Sequence, residues 1–152
     1  MNVKRGFLFL LFVLIISVGT AFAQRTITFY AVPGSLIDAS PGHAFIELSG
    51  YGVCGFYPQI SGAPTSTGVM RNDSNRIPNA TVRRSFSITE NQWIRARFII
   101  DGWIENTPRW TIGVRDCINF TYEVADSIGL SHHSYLPNMT VWPTSAVDSI
   151  GR

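Results

Sequence analysis

Lysine is almost missing from this chain: its single copy, Lys4, lies in the first few residues, and every basic residue after it is arginine. Charge is sparse too. Setting aside Lys4 and Arg5 leaves 10 of the 12 basic residues against 10 acidic ones, so residues 24–152 are neutral. The arginines are scattered apart from Arg83-Arg84, which gives no basic stripe for a nucleic acid or an anionic membrane. Only two cysteines are present, Cys54 and Cys117, which excludes a disulfide framework and leaves room for one bridge at most. No internal repeat or low-complexity tract occurs, so solenoid and linker classes fall away. One apolar run is long, Phe7 to Val18, and it has no counterpart later in the chain.

That run follows Lys4-Arg5 and precedes Ala21-Phe22-Ala23, the three parts of a secretory leader. It is short for a membrane span. The expectation is cleavage after Ala23, which leaves 129 of the 152 residues as one small exported domain, periplasmic or secreted, with no membrane span of its own.

Thr26 to Val32 is β-branched and aromatic and stops at Pro33-Gly34, which predicts a strand and a turn. His43 to Leu48 and Val53 to Tyr57, separated by Ser49-Gly50-Tyr51-Gly52, predict a hairpin opened by His43. A turn centred between Gly50 and Tyr51 puts His43 across from Pro58, with residues 43, 45 and 47 on one face. Ile60 to Ala80 is rich in Gly, Pro, Ser, Thr and Asn and reads as a long loop, holding at most a short strand near Gly68 to Arg71. Thr81 to Ile88 alternates as a strand. Thr89-Glu90-Asn91-Gln92 matches a capping box ahead of a helix from Glu90 to about Asn106, ended by Thr107-Pro108. A second helix runs from Cys117 to Gly129, with Phe120, Val124 and Ile128 as its apolar stripe, and Thr144 to Ile150 allows a last turn or two.

The chemistry gathers at Arg115-Asp116-Cys117-Ile118-Asn119-Phe120, which puts a thiol on the first turn of a helix. The positive end of the macrodipole favours a thiolate there, and such a cysteine is a candidate nucleophile. The alternatives are a buried helix cysteine or a bridge to Cys54. A base must come from His43, His132 or His133. The last two follow the second helix in a Ser-rich loop and read as solvated. A cysteine–histidine pair serves acyl chemistry because imidazole takes the thiol proton and later returns it to the leaving group, while helix-start N–H groups hold the oxyanion.

Gly42-His43-Ala44-Phe45 opening a hairpin, Gly55-Phe56-Tyr57-Pro58 closing it, and Asp116-Cys117-x-Asn119-Phe120 opening a helix together resemble the circularly permuted papain-like enzymes. These form the permuted branch of the NlpC-type cell-wall peptidase superfamily, which includes the lecithin:retinol acyltransferase relatives. In that branch the histidine strand precedes the cysteine helix, as here, and the resemblance spans about Thr26 to Leu130. It implies an α+β fold with an antiparallel sheet packed against two helices. It implies Cys117 as nucleophile, His43 as base, and Asp116 as the residue that helps hold a substrate amine. The polar residue that orients the imidazole is taken as Gln59, with Glu47 and Asp38 as alternatives. No cofactor or metal is called for.

Three functions follow as expectations. The first is an exported cysteine hydrolase that cleaves amide bonds, in peptidoglycan stem peptides given its place of action. The second keeps the Cys117–His43 site and acts on acyl esters or lipids, with apolar residues of the hairpin lining an acyl groove. The third is a non-catalytic binding module closed by a Cys54–Cys117 disulfide.

Overall fold

The computed structural model describes residues 24–34, 42–134 and 142–152. The expected leader, residues 1–23, and Asp38 lie outside them. The described chain is α+β. Six antiparallel strands form one sheet in the order β5-β1-β2-β3-β4-β6. They are β1 (Arg25–Val32), β2 (His43–Leu48), β3 (Gly52–Pro58), β4 (Thr65–Arg71), β5 (Val82–Ile88) and β6 (Arg109–Thr111). Three α-helices accompany them, α1 (Glu90–Glu105), α2 (Cys117–Ser127) and α3 (Pro143–Ser149), together with a 3-10 turn over Ser74–Asn79. None of the helices is long and apolar enough to cross a membrane.

Alternation along the strands divides the sheet into two faces. Ile27, Phe29 and Ala31 of β1, Ala44, Ile46 and Leu48 of β2, and Cys54 and Phe56 of β3 point into one apolar core with the helices. Trp103 of α1 joins the layers, meeting Phe56 and Phe120 edge-on with ring centroids 4.8 and 5.3 Å apart. The helix α1 begins where its capping box predicts: the Gln92 N–H donates to Thr89 Oγ1 at 3.2 Å and the Thr89 N–H to Gln92 Oε1 at 2.9 Å. Trp93 and Trp103 are core residues as the periodicity implies, and Trp110 of β6 joins them, while Trp142 is exposed.

The second face carries rings in place of aliphatic chains. Tyr30 stacks on Phe45, Phe45 on His43 and His43 on Tyr57, with centroids 5.1, 5.7 and 4.0 Å apart. The 3-10 turn packs against β1 and β3, and Phe45, Tyr30 and His43 are all buried.

Two differences from the sequence reading matter for the site. The stretch expected to be a loop, Ile60 to Ala80, holds a full strand, β4, which pairs with both β3 and β6, and then the 3-10 turn. The hairpin register also differs by one residue. Leu48 pairs with Gly52 and Ile46 with Cys54, so the loop is the three residues Ser49 to Tyr51 with Gly50 in the left-handed region at φ +72°. Because side chains alternate along a strand, that one-residue change puts Tyr57, and not Pro58, on the face of His43.

Candidate active site

His43 opens β2 next to the Gly42 turn, whose φ of +79° suits glycine. The imidazole is held from three sides. Tyr57 stacks on one ring face, Phe45 lies alongside, and Nε2 sits 3.0 Å from Asp73 Oδ2. The other oxygen of Asp73 accepts a short hydrogen bond from the Tyr57 hydroxyl. Asp73 is 2 % exposed and occupies the N-cap position of the 3-10 turn, yet its side chain makes no cap bond. Asn72 Oδ1 takes the Ser74 N–H at 2.9 Å instead, and the carboxylate is left for the histidine and the tyrosine. Gly55 makes the fit possible. A Cβ there would lie 2.5 Å from His43 Nε2 and closer still to Asp73 Oδ2.

A carboxylate can only accept hydrogen bonds, so Asp73 places the imidazole proton on Nε2 and leaves Nδ1 as the nitrogen able to take a proton. Burial pulls the pKa of His43 below its ordinary value, against the hydrogen bond and charge of Asp73, while Arg76 pushes the same way as burial. The ring rests neutral. Burial, then the bond to Asp73, drives the Tyr57 phenol upward, so it stays a donor.

Cys117 is the first residue of α2, with its sulfur against backbone N–H groups of Ala44, Cys117 itself and Ile118. Ala44 is the residue after His43, so nucleophile and base candidates reach the same end of β2. No thiol–imidazole hydrogen bond forms among the described residues. The expected thiolate is not the resting state. Burial pushes the thiol up to about 12, the Asp116 charge adds to this, and the backbone donors only partly oppose it. The helix dipole loses here to burial first, and the anionic cap beside the sulfur adds to the loss.

Asp116 does not stand free for a substrate amine. It is buried, its Oδ1 accepts the Ile118 and Asn119 N–H groups at 2.9 and 3.4 Å, and its Oδ2 accepts the Gly113 N–H at 2.8 Å. Asn119 completes a reciprocal cap by accepting the Asp116 N–H at 3.0 Å. The aspartate fixes where α2 begins and therefore where the thiol sits. Of the helix-start donors, the Cys117 N–H is the one this cap does not take.

Gln59 is not the partner of the imidazole. It is exposed beyond the end of β3, with its N–H donating to Thr67 O at 2.8 Å. Glu47 shares the His43 face but accepts the Tyr30 hydroxyl at 2.6 Å. The carboxylate bonded to the imidazole is that of Asp73, which sequence reasoning passed over inside an apparent loop. One signal was present, since Asp73 is the only acidic residue between Glu47 and Glu90.

The remaining candidates lie elsewhere. Cys54 and Cys117 are both free thiols, so the bridge is not made. Cys54 is a core residue whose thiol burial pushes up to about 12. His132 is packed, stacking on Tyr122 at 3.8 Å with Nε2 3.0 Å from Asp126 Oδ1, whereas His133 is exposed. No group of three or more His, Cys, Asp or Glu side chains among the described residues could hold a metal ion. Comparison with protein-family models, with curated proteins and with solved structures gives no match to this chain.

The thiol shift gives a direct expectation. At neutral pH, Cys117 in the native protein reacts with an alkylating reagent far more slowly than a free thiol, and its rate climbs only as pH approaches about 12. Because the folded value is raised, the associated stability is complete below the ordinary thiol pKa and is lost as pH rises through the folded one. For His43 the folded value is depressed. Its contribution is complete above the ordinary histidine pKa, roughly 6.5, and is lost as pH falls toward the folded value. Rapid labelling of Cys117 at pH 7 would contradict the neutral resting pair.

Proposed function

We propose that this protein is an exported cysteine hydrolase with a permuted papain-like arrangement, cleaving amide bonds in peptidoglycan stem peptides. The observation that carries the reading is the line from half-buried Tyr57 through buried Asp73 to buried His43. It ends at the strand residue whose neighbour, Ala44, presents its N–H to the Cys117 sulfur. The chain order agrees with it: a histidine strand, then a helix, then a cysteine at the start of the next helix.

In this reading the reaction starts from a neutral pair, so proton transfer accompanies attack. Cys117 Sγ bonds to the acyl carbon as its proton moves to His43 Nδ1. The imidazolium, stabilised by Asp73, gives that proton to the amine nitrogen as the C–N bond breaks. Water then adds to the thioester, passing a proton to Nδ1, and the sulfur leaves by taking it back. In this reading the Cys117 N–H meets the oxyanion in both halves.

Amide substrates are favoured over lipids because the apolar residues of the hairpin, Ala44, Ile46, Leu48, Cys54 and Phe56, are used by the core and line no acyl groove. Incubation with purified peptidoglycan and, separately, with acyl esters decides the matter. The expected result is release of new amino termini from peptidoglycan by the native protein and none by Cys117→Ala. Ester cleavage without peptidoglycan cleavage, or cleavage that survives Cys117→Ala, would overturn the reading.

A further inference from the structure

Of the ten arginines among the described residues, Arg25, Arg97, Arg115 and Arg152 are tied to carboxylates at 2.8, 3.2, 2.9 and 2.7 Å. Arg71, Arg76, Arg83, Arg84, Arg95 and Arg109 have no carboxylate at hydrogen-bond distance among the described residues, and of these Arg71 and Arg76 share one aromatic ring. Arg71 ends β4 opposite Gly55, which places it on the His43 face of the sheet, and it has no carboxylate partner among the described residues. Arg76, in the 3-10 turn, reaches Asp73 only at 3.6 Å, beyond a hydrogen bond, with its side chain 46 % exposed. Both guanidinium groups lie 5.4 Å from the centroid of one ring, Tyr57, the ring that stacks on His43. Two exposed guanidinium groups thus lie against the aromatic wall of the proposed catalytic histidine, while Asp73 is buried.

Stacking on a ring leaves the in-plane N–H groups of a guanidinium free, and their fork matches a carboxylate. We infer that Arg71 and Arg76 form a carboxylate subsite beside the Cys117–His43 centre, selecting acidic peptides with a free carboxylate flanking the scissile amide. This rests on the hydrolase reading and gives it a substrate class. A neutral analogue has nothing to offer the two cations, and a basic one is repelled.

The test uses two synthetic stem peptides, identical except that the carboxylate next to the scissile amide is free in one and amidated in the other. Binding is measured by calorimetry on the Cys117→Ala protein, and turnover on the native protein. The free-carboxylate peptide binds about tenfold tighter, as a charge-assisted pair of hydrogen bonds supplies. Arg71→Gln with Arg76→Gln erases that preference, Arg71→Lys keeps part of it, and Arg95→Gln, at an exposed position of α1, leaves it intact. Equal binding of the two peptides, or a preference that survives the double substitution, overturns the subsite. The hydrolase reading fails separately, through absence of turnover of either peptide by the native protein.

Discussion

Asp73→Asn is expected to lower kcat for amide hydrolysis by roughly 10³- to 10⁴-fold while leaving the fold in place, the scale seen when a histidine base is put in the wrong tautomer. The substitution keeps the shape of the side chain and changes what it can donate. Asparagine satisfies the Tyr57 hydroxyl with its oxygen and turns its amide N–H toward His43 Nε2. The imidazole proton then moves to Nδ1, and the nitrogen that should accept the thiol proton is already occupied. Asp73→Ala has a different signature. It strands a buried imidazole and a half-buried phenol and costs about 3 kcal/mol in denaturant unfolding, in addition to the loss of rate. Kinetics and unfolding on the two variants separate the roles. If Asp73→Asn stays within a few-fold of the native rate, the carboxylate does not orient the base.

Gly55→Ala is expected to lower the rate by about 100-fold, although it adds one methyl group and touches neither ionisable residue chemically. The new Cβ would sit 2.5 Å from His43 Nε2 and tighter against Asp73 Oδ2, so the hydrogen bond between them has to open. Overpacking of this kind costs about 1–3 kcal/mol, and displacement of a catalytic group by about an ångström costs on the order of 100-fold in rate. Gly55 is held in ordinary backbone, so the penalty belongs to the contact and not to φ. A double-mutant cycle with Asp73→Asn checks this. The two losses should be far from additive, because each disables the same bond. Full additivity would place the damage elsewhere.

The sequence carried the local rules and missed the tertiary ones. Thr89 to Gln92 could be read as a cap because both partners lie within one turn of chain, and α2 starts at Cys117 because Asp116 and Asn119 cap it reciprocally. The strands β1, β2, β3 and β5 were visible in alternation. Strand β4 was not, since Thr65 to Arg71 has little apolar content and owes its state to pairing on both edges. Asp73 was hidden for the same reason: only the β3–β4 pairing and the 3-10 turn bring it under His43. The thiol expectation failed on burial. A cysteine after an aspartate at a helix start reads as activated, and the sequence does not reveal that Cys117 is left 8 % exposed beside a buried anion. His132 likewise looked solvated because neither its stack on Tyr122 nor its bond to Asp126 leaves a mark in a Ser-rich loop.

In the proposed hydrolase Cys117 forms a covalent acyl intermediate with His43 as its base. Rapid-quench mass spectrometry of the native protein mixed with soluble stem peptides tests it most directly. The expected result is a hydroxylamine-labile adduct with the mass of the acyl half of the peptide. It maps to Cys117, accumulates at least tenfold more slowly in His43→Ala, and is absent from Cys117→Ala. Peptide cleavage without any adduct, or an adduct on another residue, would contradict it.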